Sequence, residues 1–156
     1  MKNLLLALVT ILLLASCGSA KRTYKPASIS KADLVVNQAQ AFAGTPYKWG
    51  GTTRAGMDCS GLIYTAFNKE NIVLPRVSRD MATRGKPVKK SAIKKGDLVF
   101  FKTNKSSRKI NHVGLVTLVK EDRIYFIHSS SSRGVLTSSL EEKYWKNAYS
   151  QARRVL

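Results

Sequence analysis

Cys59, His112 and His128 are the residues whose types and places allow chemistry. Cys59 follows Asp58 and opens an apolar run, Cys59 to Asn68, with Leu62, Ile63, Ala66 and Phe67 at helical spacing. Asp58 is placed as the N-cap of that helix. A thiol at a helix N-terminus feels the positive end of the helix dipole, which favours the thiolate. A cysteine nucleophile then needs a base, and the base needs a third group to orient it. The chain has only two histidines. His112 starts one predicted strand and His128 ends the strand that returns beside it. In an antiparallel hairpin those ends share one edge, so one imidazole can take the thiol proton while the other holds its ring and fixes the tautomer. A zinc site built from the same three residues, with Asp58 as a fourth ligand, is a competing account. No paired ligand spacing supports it.

The elements that must position these groups can be read in order. Ser30 caps a first helix with Asp33 as an imperfect capping box, and Leu34, Val35, Ala39, Phe42 and Ala43 supply its apolar face up to Gly44. A glycine-rich loop with Gly50, Gly51 and Gly56 leads into the Cys59 helix. Leu74-Pro75-Arg76 breaks the chain, Ser78 caps a short helix to about Arg84, and Gly85, Pro87 and the following lysines form a loop. Leu98 to Phe101 is a short buried strand after the Gly96-Asp97 turn. Residues 102–111 form a polar, basic loop, and strands follow at His112 to Val119 and Arg123 to His128, joined by Glu121-Asp122. Val135 to Thr137 and Ala152 to Leu156 read as the last strands, with a turn near Glu141 to Trp145. Helices first and strands after predict an α+β domain with N-terminal helices packed on a central antiparallel sheet.

The chain has 156 residues, Lys+Arg 27 against Asp+Glu 9, a formal charge of +18 and a pI near 10.3. One domain fits that length. The charge suits an anionic surface or polymer. It is scattered, densest at Lys89-Lys90 with Lys94-Lys95 and from Lys102 to Lys109, without a basic stripe interleaved with aromatics. No nucleic-acid motif, Rossmann or P-loop pattern or internal repeat is present, so nucleic acid is not an expected partner. At the N-terminus, Lys2 precedes an apolar run from Leu4 to Leu14 broken only by Thr10, then Leu14-Ala15-Ser16-Cys17. The run is short for a membrane span and has the shape of a secretory signal. The pattern resembles a bacterial lipobox. It implies a signal peptide over 1–16, lipidation of Cys17, a polar tether over 17–30 and a folded domain over 31–156. Several acyl chains would anchor the protein outside the cytoplasm. Gly18 after the cysteine favours the outer membrane, facing the periplasm, if the cell is Gram-negative.

Five segments occur in a telling order: Pro46-Tyr47-x-Trp49-Gly50-Gly51, Asp58-Cys59-Ser60-Gly61-Leu62, Leu74-Pro75-Arg76-x-Ser78, Gly96-Asp97-Leu98-Val99-Phe100-Phe101 and His112-Val113-Gly114. Together they resemble the NlpC-type family of bacterial cell-wall cysteine peptidases, over about residues 32–155. The resemblance implies a papain-like fold and cleavage of murein stem peptides between γ-D-glutamate and the following diamino acid. It implies Cys59 as nucleophile, His112 as base and His128 as the third polar group, with the Tyr47 hydroxyl helping to bind the oxyanion. Asp58, Ser60, Arg76 and Ser78 then lie around the substrate. Asp58 is the helix cap, a contact to a free amine of the stem peptide, or both; Arg76 and Ser78 bind substrate or fix the loop. No cofactor or metal is called for, and a monomer is expected. Two departures, Lys95 where a proline commonly precedes the Gly-Asp turn and Asp80-Met81 in place of a glutamine-containing stretch, lie off the nucleophile. The alternatives are a papain-like amidase or acyltransferase, and an inactive wall-binding lipoprotein.

Overall fold

Four consecutive apolar residues, Leu98-Val99-Phe100-Phe101, are buried at every position and divide the interior into two cores. The alternation of side chains along a strand sends Leu98 and Phe100 to one face and Val99 and Phe101 to the other. A strand covered on both faces reads as a continuous apolar run, which is what the sequence shows.

The computed structural model describes residues 28–104 and 106–156. The expected signal peptide, Cys17 and the tether as far as residue 27 lie outside them. In chain order the elements are α1 (Lys31–Gln40), β1 (Thr52–Thr53), β2 (Gly56–Met57), α2 (Cys59–Asn68), α3 (Ser78–Met81), β3 (Lys86–Val88), a 3-10 turn (Lys90–Ala92), β4 (Leu98–Phe101), β5 (His112–Lys120), β6 (Arg123–Ser130), β7 (Gly134–Ser139), α4 (Lys143–Ala148) and β8 (Tyr149–Arg154). Strands β3 to β8 form one antiparallel sheet in the order β3-β8-β4-β5-β6-β7. On one face, Val35, Val36 and Ala39 of α1 and Leu62, Ile63, Ala66 and Phe67 of α2 pack with Leu98, Phe100, Val113, Leu115 and Ile127. On the other, Val99, Phe101, Val116 and Phe126 close around Trp145 of α4. The architecture is α+β and papain-like. Among the described residues no helix is long and apolar enough to cross a membrane.

Several local expectations change. The capping box of α1 is complete, because the Asp33 N–H donates to Ser30 Oγ at 3.1 Å and the Ser30 N–H to Asp33 Oδ2 at 3.2 Å. Ser78 is the first residue of α3 rather than its cap, since Val77 holds the cap position and makes no side-chain hydrogen bond. The expected loop around Pro87 contains β3, which pairs with β8 at the rim of the sheet, where a proline costs no ladder bond. The expected turn at Glu141 to Trp145 leads into α4, too short for its periodicity to show. Strand β8 begins at Tyr149, three residues early, because a register shift between Phe100 and Phe101 lets it continue along β4. Asp97 explains the Gly-Asp turn. It is 1% exposed and receives Arg154 Nε and Nη2, each at 2.7 Å, together with the Lys94 N–H at 2.8 Å. That fork ties the entry of β4 to β8.

Helix α2 lies so close to the glycine loop that a Cβ on Gly61 would overlap the Gly51 carbonyl oxygen. Alanine is worth about 1 kcal/mol over glycine in a helix, but overpacking costs about 1–3 kcal/mol. Gly61→Ala is therefore expected to lower the urea midpoint by about 1–2 kcal/mol of stability; a midpoint at or above wild type would show that the loop yields freely.

Candidate active site

Asp58 organises the site. It caps α2 through its Oδ1, which accepts the Gly61 N–H at 2.6 Å. The same oxygen accepts Arg76 Nη1 at 2.9 Å and the Ser60 hydroxyl at 3.2 Å. Its Oδ2 accepts the Gly50 N–H and Arg76 Nη2, both at 2.8 Å. Arg76 also donates to Ser60 Oγ at 2.9 Å and to the Gly51 carbonyl at 3.3 Å. Burial would raise the pKa of this carboxyl, but Arg76 and the Gly61 and Gly50 amides outweigh it and hold it below the usual range. A carboxylate offers about four lone-pair positions, and these donors fill them. The geometry makes Asp58 the cap of α2 and a clamp on Arg76 and the Gly50 amide. Arg76 fixes the loop in the same knot.

Cys59 stands on the first residue of α2, partly exposed and uncrosslinked. The helix-end argument favours its thiolate, yet burial pushes the thiol pKa up, and the nearby Asp58 charge adds to this. The backbone amides of Val113, Ser60 and Cys59 act in the opposite sense and do not win. The dry setting outweighs the dipole.

The histidines converge as the hairpin requires. Leu115 pairs with Ile127, so His112 and His128 fall at the same end of β5 and β6. His112 Nε2 lies 3.1 Å from His128 Nδ1, and His128 Nε2 lies 3.1 Å from Ser138 Oγ on β7. One proton arrangement makes His112 a base. Its Nδ1 must be bare for the thiol, so its Nε2–H donates to His128 Nδ1, and His128 Nε2–H donates to Ser138 Oγ. His128 is fully buried, and Ser138 is buried with it. Trp145 closes the pair, stacked on His112 with ring centroids 5.2 Å apart and edge-on to His128 at 4.6 Å. Burial lowers the His112 pKa to about 4. It lowers that of His128 to about 3, with the charges of His112 and Arg133 adding to the effect. The resting site is thus thiol and neutral imidazoles.

Tyr47, Trp49, Asp58, Cys59, Ser60, Arg76, Ser78 and His112 line one open cavity. Tyr47 bridges to Met57 beside the cysteine, and burial followed by the nearby Cys59 and Asp58 charges raises its hydroxyl pKa. It stays a protonated donor at neutral pH. Ser78 is buried at the cavity edge. Sequence reasoning missed Ser138 and Trp145. The alternation of β7 about its pairing with β6 places Ser138 beside His128 only once the register is known, whereas Trp145 lay in a segment read as a turn. Among the described residues no group of three or more His, Cys, Asp or Glu side chains is arranged to hold a metal ion.

A thiol on the first residue of a helix, sharing a cleft with a histidine chain on an antiparallel sheet, defines a papain-like cysteine peptidase. The chain belongs to the NlpC/P60 family, whose model matches residues 44–154. It is 39% identical over 155 residues to the Escherichia coli K12 protein named "Probable endopeptidase NlpC", covering 96% of this chain and 97% of that one. It is 37% identical over 123 residues to the Escherichia coli K12 "Murein DD-endopeptidase MepS/Murein LD-carboxypeptidase", covering 78% of this chain and 62% of the other. A solved NlpC/P60 family protein from Bacillus cereus superposes with a TM-score of 0.73 at 32% identity, over 82% of this chain and 41% of that one.

The depressed histidines link pH to stability. An unfolded histidine takes a proton below about pH 6.5, while these stay neutral in the fold down to about 4 and 3. Folding stability is present above that unfolded value and lost as pH falls, by up to about 1.4 kcal/mol per pH unit for each histidine. Between pH 4.5 and 6, His128→Asn should reduce the slope of unfolding free energy against pH by roughly half of the histidine contribution. Urea titrations across that range measure it, and an unaltered slope would mean that His128 is charged in the fold.

Proposed function

We propose that this protein is a murein endopeptidase that cuts the bond between γ-D-glutamate and the following diamino acid of peptidoglycan stem peptides. The observation that carries the reading is that Cys59 and His112 line one cleft, with His128 buried behind His112 and 3.1 Å from its ring. The match to an endopeptidase-named relative over nearly the whole chain supports it. In this mechanism His112 Nδ1 takes the thiol proton as Cys59 Sγ attacks the γ-carbonyl. The oxyanion receives the Cys59 backbone N–H at the helix start and the Tyr47 hydroxyl. His112 gives the proton to the leaving amine, and the thioester forms. Water then attacks with His112 again as base, releasing the γ-D-glutamyl carboxylate and restoring the thiol. His128 and Ser138 hold the ring of His112 throughout.

A second reading has its own support. One relative is named a murein DD-endopeptidase, and such an activity would open crosslinks rather than shorten stems. We place the protein at a membrane surface outside the cytoplasm, anchored through lipid on Cys17, on the outer membrane facing the periplasm if the cell is Gram-negative. The charged start, apolar run and Ala15-Ser16-Cys17 support this. The net charge of +18 suits anionic surroundings, with an attraction that weakens as salt rises. The protein acts as a monomer in this account.

Digesting purified muropeptides and weighing the products tests the function. The γ-D-glutamyl reading predicts disaccharide carrying a dipeptide stem, with Cys59→Ser reducing the rate by at least about a thousandfold. Intact stems from wild type would overturn it, and crosslinked dimers opened into intact monomers would establish the second reading. Cys17→Ala should move the protein from the membrane fraction to the soluble one; an unchanged distribution would reject the lipid anchor.

A further inference from the structure

Eight large apolar side chains are exposed among the described residues. Trp49, Val77 and Tyr144 line the catalytic cleft. Ile29, Leu118, Val119 and Leu156 form a second group at the opposite end of the sheet, and Val73 belongs to neither. The strand register fixes that placement. Phe101 pairs with His112 at the cleft end of β4, and Leu98 pairs with Leu115 at the other. Strand β5 runs on to Lys120, so at ~3.3 Å per residue its tip lies about 26 Å along the strand from His112. The Gly96 N–H donates to the Val116 carbonyl at 2.9 Å, which sets the turn before β4 at the base of that hairpin tip. The first turn of α1 packs on the same place. Lys95 pairs with Asp33, and a Cβ on Gly96 would lie 2.7 Å from Ala32 Cβ and 3.2 Å from Leu156 Cδ1. Residues 1–27 therefore join the domain at this end, beside Ile29 and Lys31. Cations crowd it too. Lys31, Lys86, Lys94 and Lys95 surround the turn before β4, Lys120 and Arg123 close the hairpin tip, and all six are exposed. Lys86 belongs here because it pairs with Arg154, whose guanidinium holds Asp97. Of the surface acids at this end, Asp33 is paired with Lys95 and Glu121 with Lys120, which leaves Asp122.

Aliphatic side chains exposed among lysines fit a lipid surface, because the aliphatic groups and the lysine stems can enter the headgroup layer while the ammonium groups stay at its charged plane. Anionic headgroups attract such a cluster over about a Debye length. An acidic wall polymer would use the cations alone and leave the aliphatic groups without a partner. It must also enter the cleft to be cut, and the cleft is at the other end. We propose that the end of the sheet formed by the Lys94-Lys95 turn, the start of α1 and the β5–β6 hairpin tip docks on an anionic lipid surface, with Leu118 and Val119 entering the headgroup layer. Docked in this way, the domain turns Cys59 and His112 away from the lipid. The contact is separate from the acyl chains on Cys17, which would hold the chain near a membrane without orienting the domain. It rests on the reading that places the protein at a membrane surface.

The test uses the full-length protein on vesicles of phosphatidylcholine with brominated acyl chains, with or without about one third phosphatidylglycerol. Bromine quenches a tryptophan only at close range. The chain's own Trp49 and Trp145 line the cleft and report on that end, while Leu118→Trp reports on the hairpin tip. Wild-type emission should stay unquenched. Leu118→Trp should add a component that bromine quenches on the anionic vesicles and that added salt restores. Lys31→Glu, Lys86→Glu and Lys94→Glu combined should remove the quenching and weaken partition onto anionic vesicles about tenfold or more. That variant retains residues 1–27, so its loss reads the face alone, and the salt titration reads the same attraction without any charge variant. Unquenched Leu118→Trp on vesicles that retain the protein, quenching that survives the charge reversal, or quenching of the wild-type tryptophans overturns the face. Loss of binding to isolated cell-wall sacculi in the charge variant, with no quenching on vesicles, also overturns it and assigns the cations to a wall polymer. Cys17→Ala separates the two membrane readings. Unchanged retention with the quenching intact would sink the lipid anchor and leave the docking face standing; reduced retention, with no quenching in the anchored protein, would sink the face alone.

Discussion

One ion pair holds the functional half of this molecule together. Asp58 and Arg76 join the cap of the nucleophile helix, the glycine loop and the segment after Pro75 in a single knot. Without it, the segment after Pro75 loses its tie to the glycine loop and the helix start, and the first turn of α2 loses its cap. Exposed ion pairs contribute little, but this one is part-buried, bidentate and saturated by backbone donors, so removing either partner strands the other. The knot also has an electrostatic use. An uncompensated carboxylate one residue from the cysteine would oppose the thiolate that forms during attack, and the Arg76 guanidinium offsets it.

Burial sets the second constraint. It moves the thiol and both imidazoles towards neutral forms, against the pull of the helix end. The chemistry follows from this. A neutral third member cannot offer His112 the charge that an aspartate would, so it contributes orientation and a dipole. The run from His112 through His128 to Ser138 supplies both, because His112 Nε2 and both nitrogens of His128 each have one defined partner. Trp145 shields that run from water, which strengthens its hydrogen bonds. The proton moves as the sulfur attacks, and the charge-separated state exists mainly along the reaction path.

The sequence carried the site more fully than the fold. Cys59 and Asp58 were legible because a cap and an apolar helix leave a local pattern, and the two histidines because they are the only ones and sit at strand ends. The strands β4, β5 and β6 were legible for similar reasons. Ser138 was not, since its meaning depends on the β6–β7 register, a nonlocal property. Strand β3 and helix α4 were hidden by their brevity, by Pro87 and by a core contact in which Trp145 is the one buried residue of its helix. The thiol's pKa was misjudged in sign because local reasoning sees the helix dipole but not the burial that the rest of the fold imposes. Asp58 was legible as a cap, whereas its ion pair with Arg76 joins residues that no local pattern links.

The central claim is that the resting site is neutral, with both histidines protonated at Nε2. Nitrogen-15 NMR of histidine-labelled full-length protein at pH 7 tests it most directly, because ring nitrogen shifts separate the two neutral tautomers and the imidazolium. The account predicts two Nε2–H imidazoles whose shifts stay constant down to about pH 5, consistent with pKa values of about 4 and 3. An imidazolium signal from His112 at pH 7, or an Nδ1–H tautomer at either ring, would contradict it.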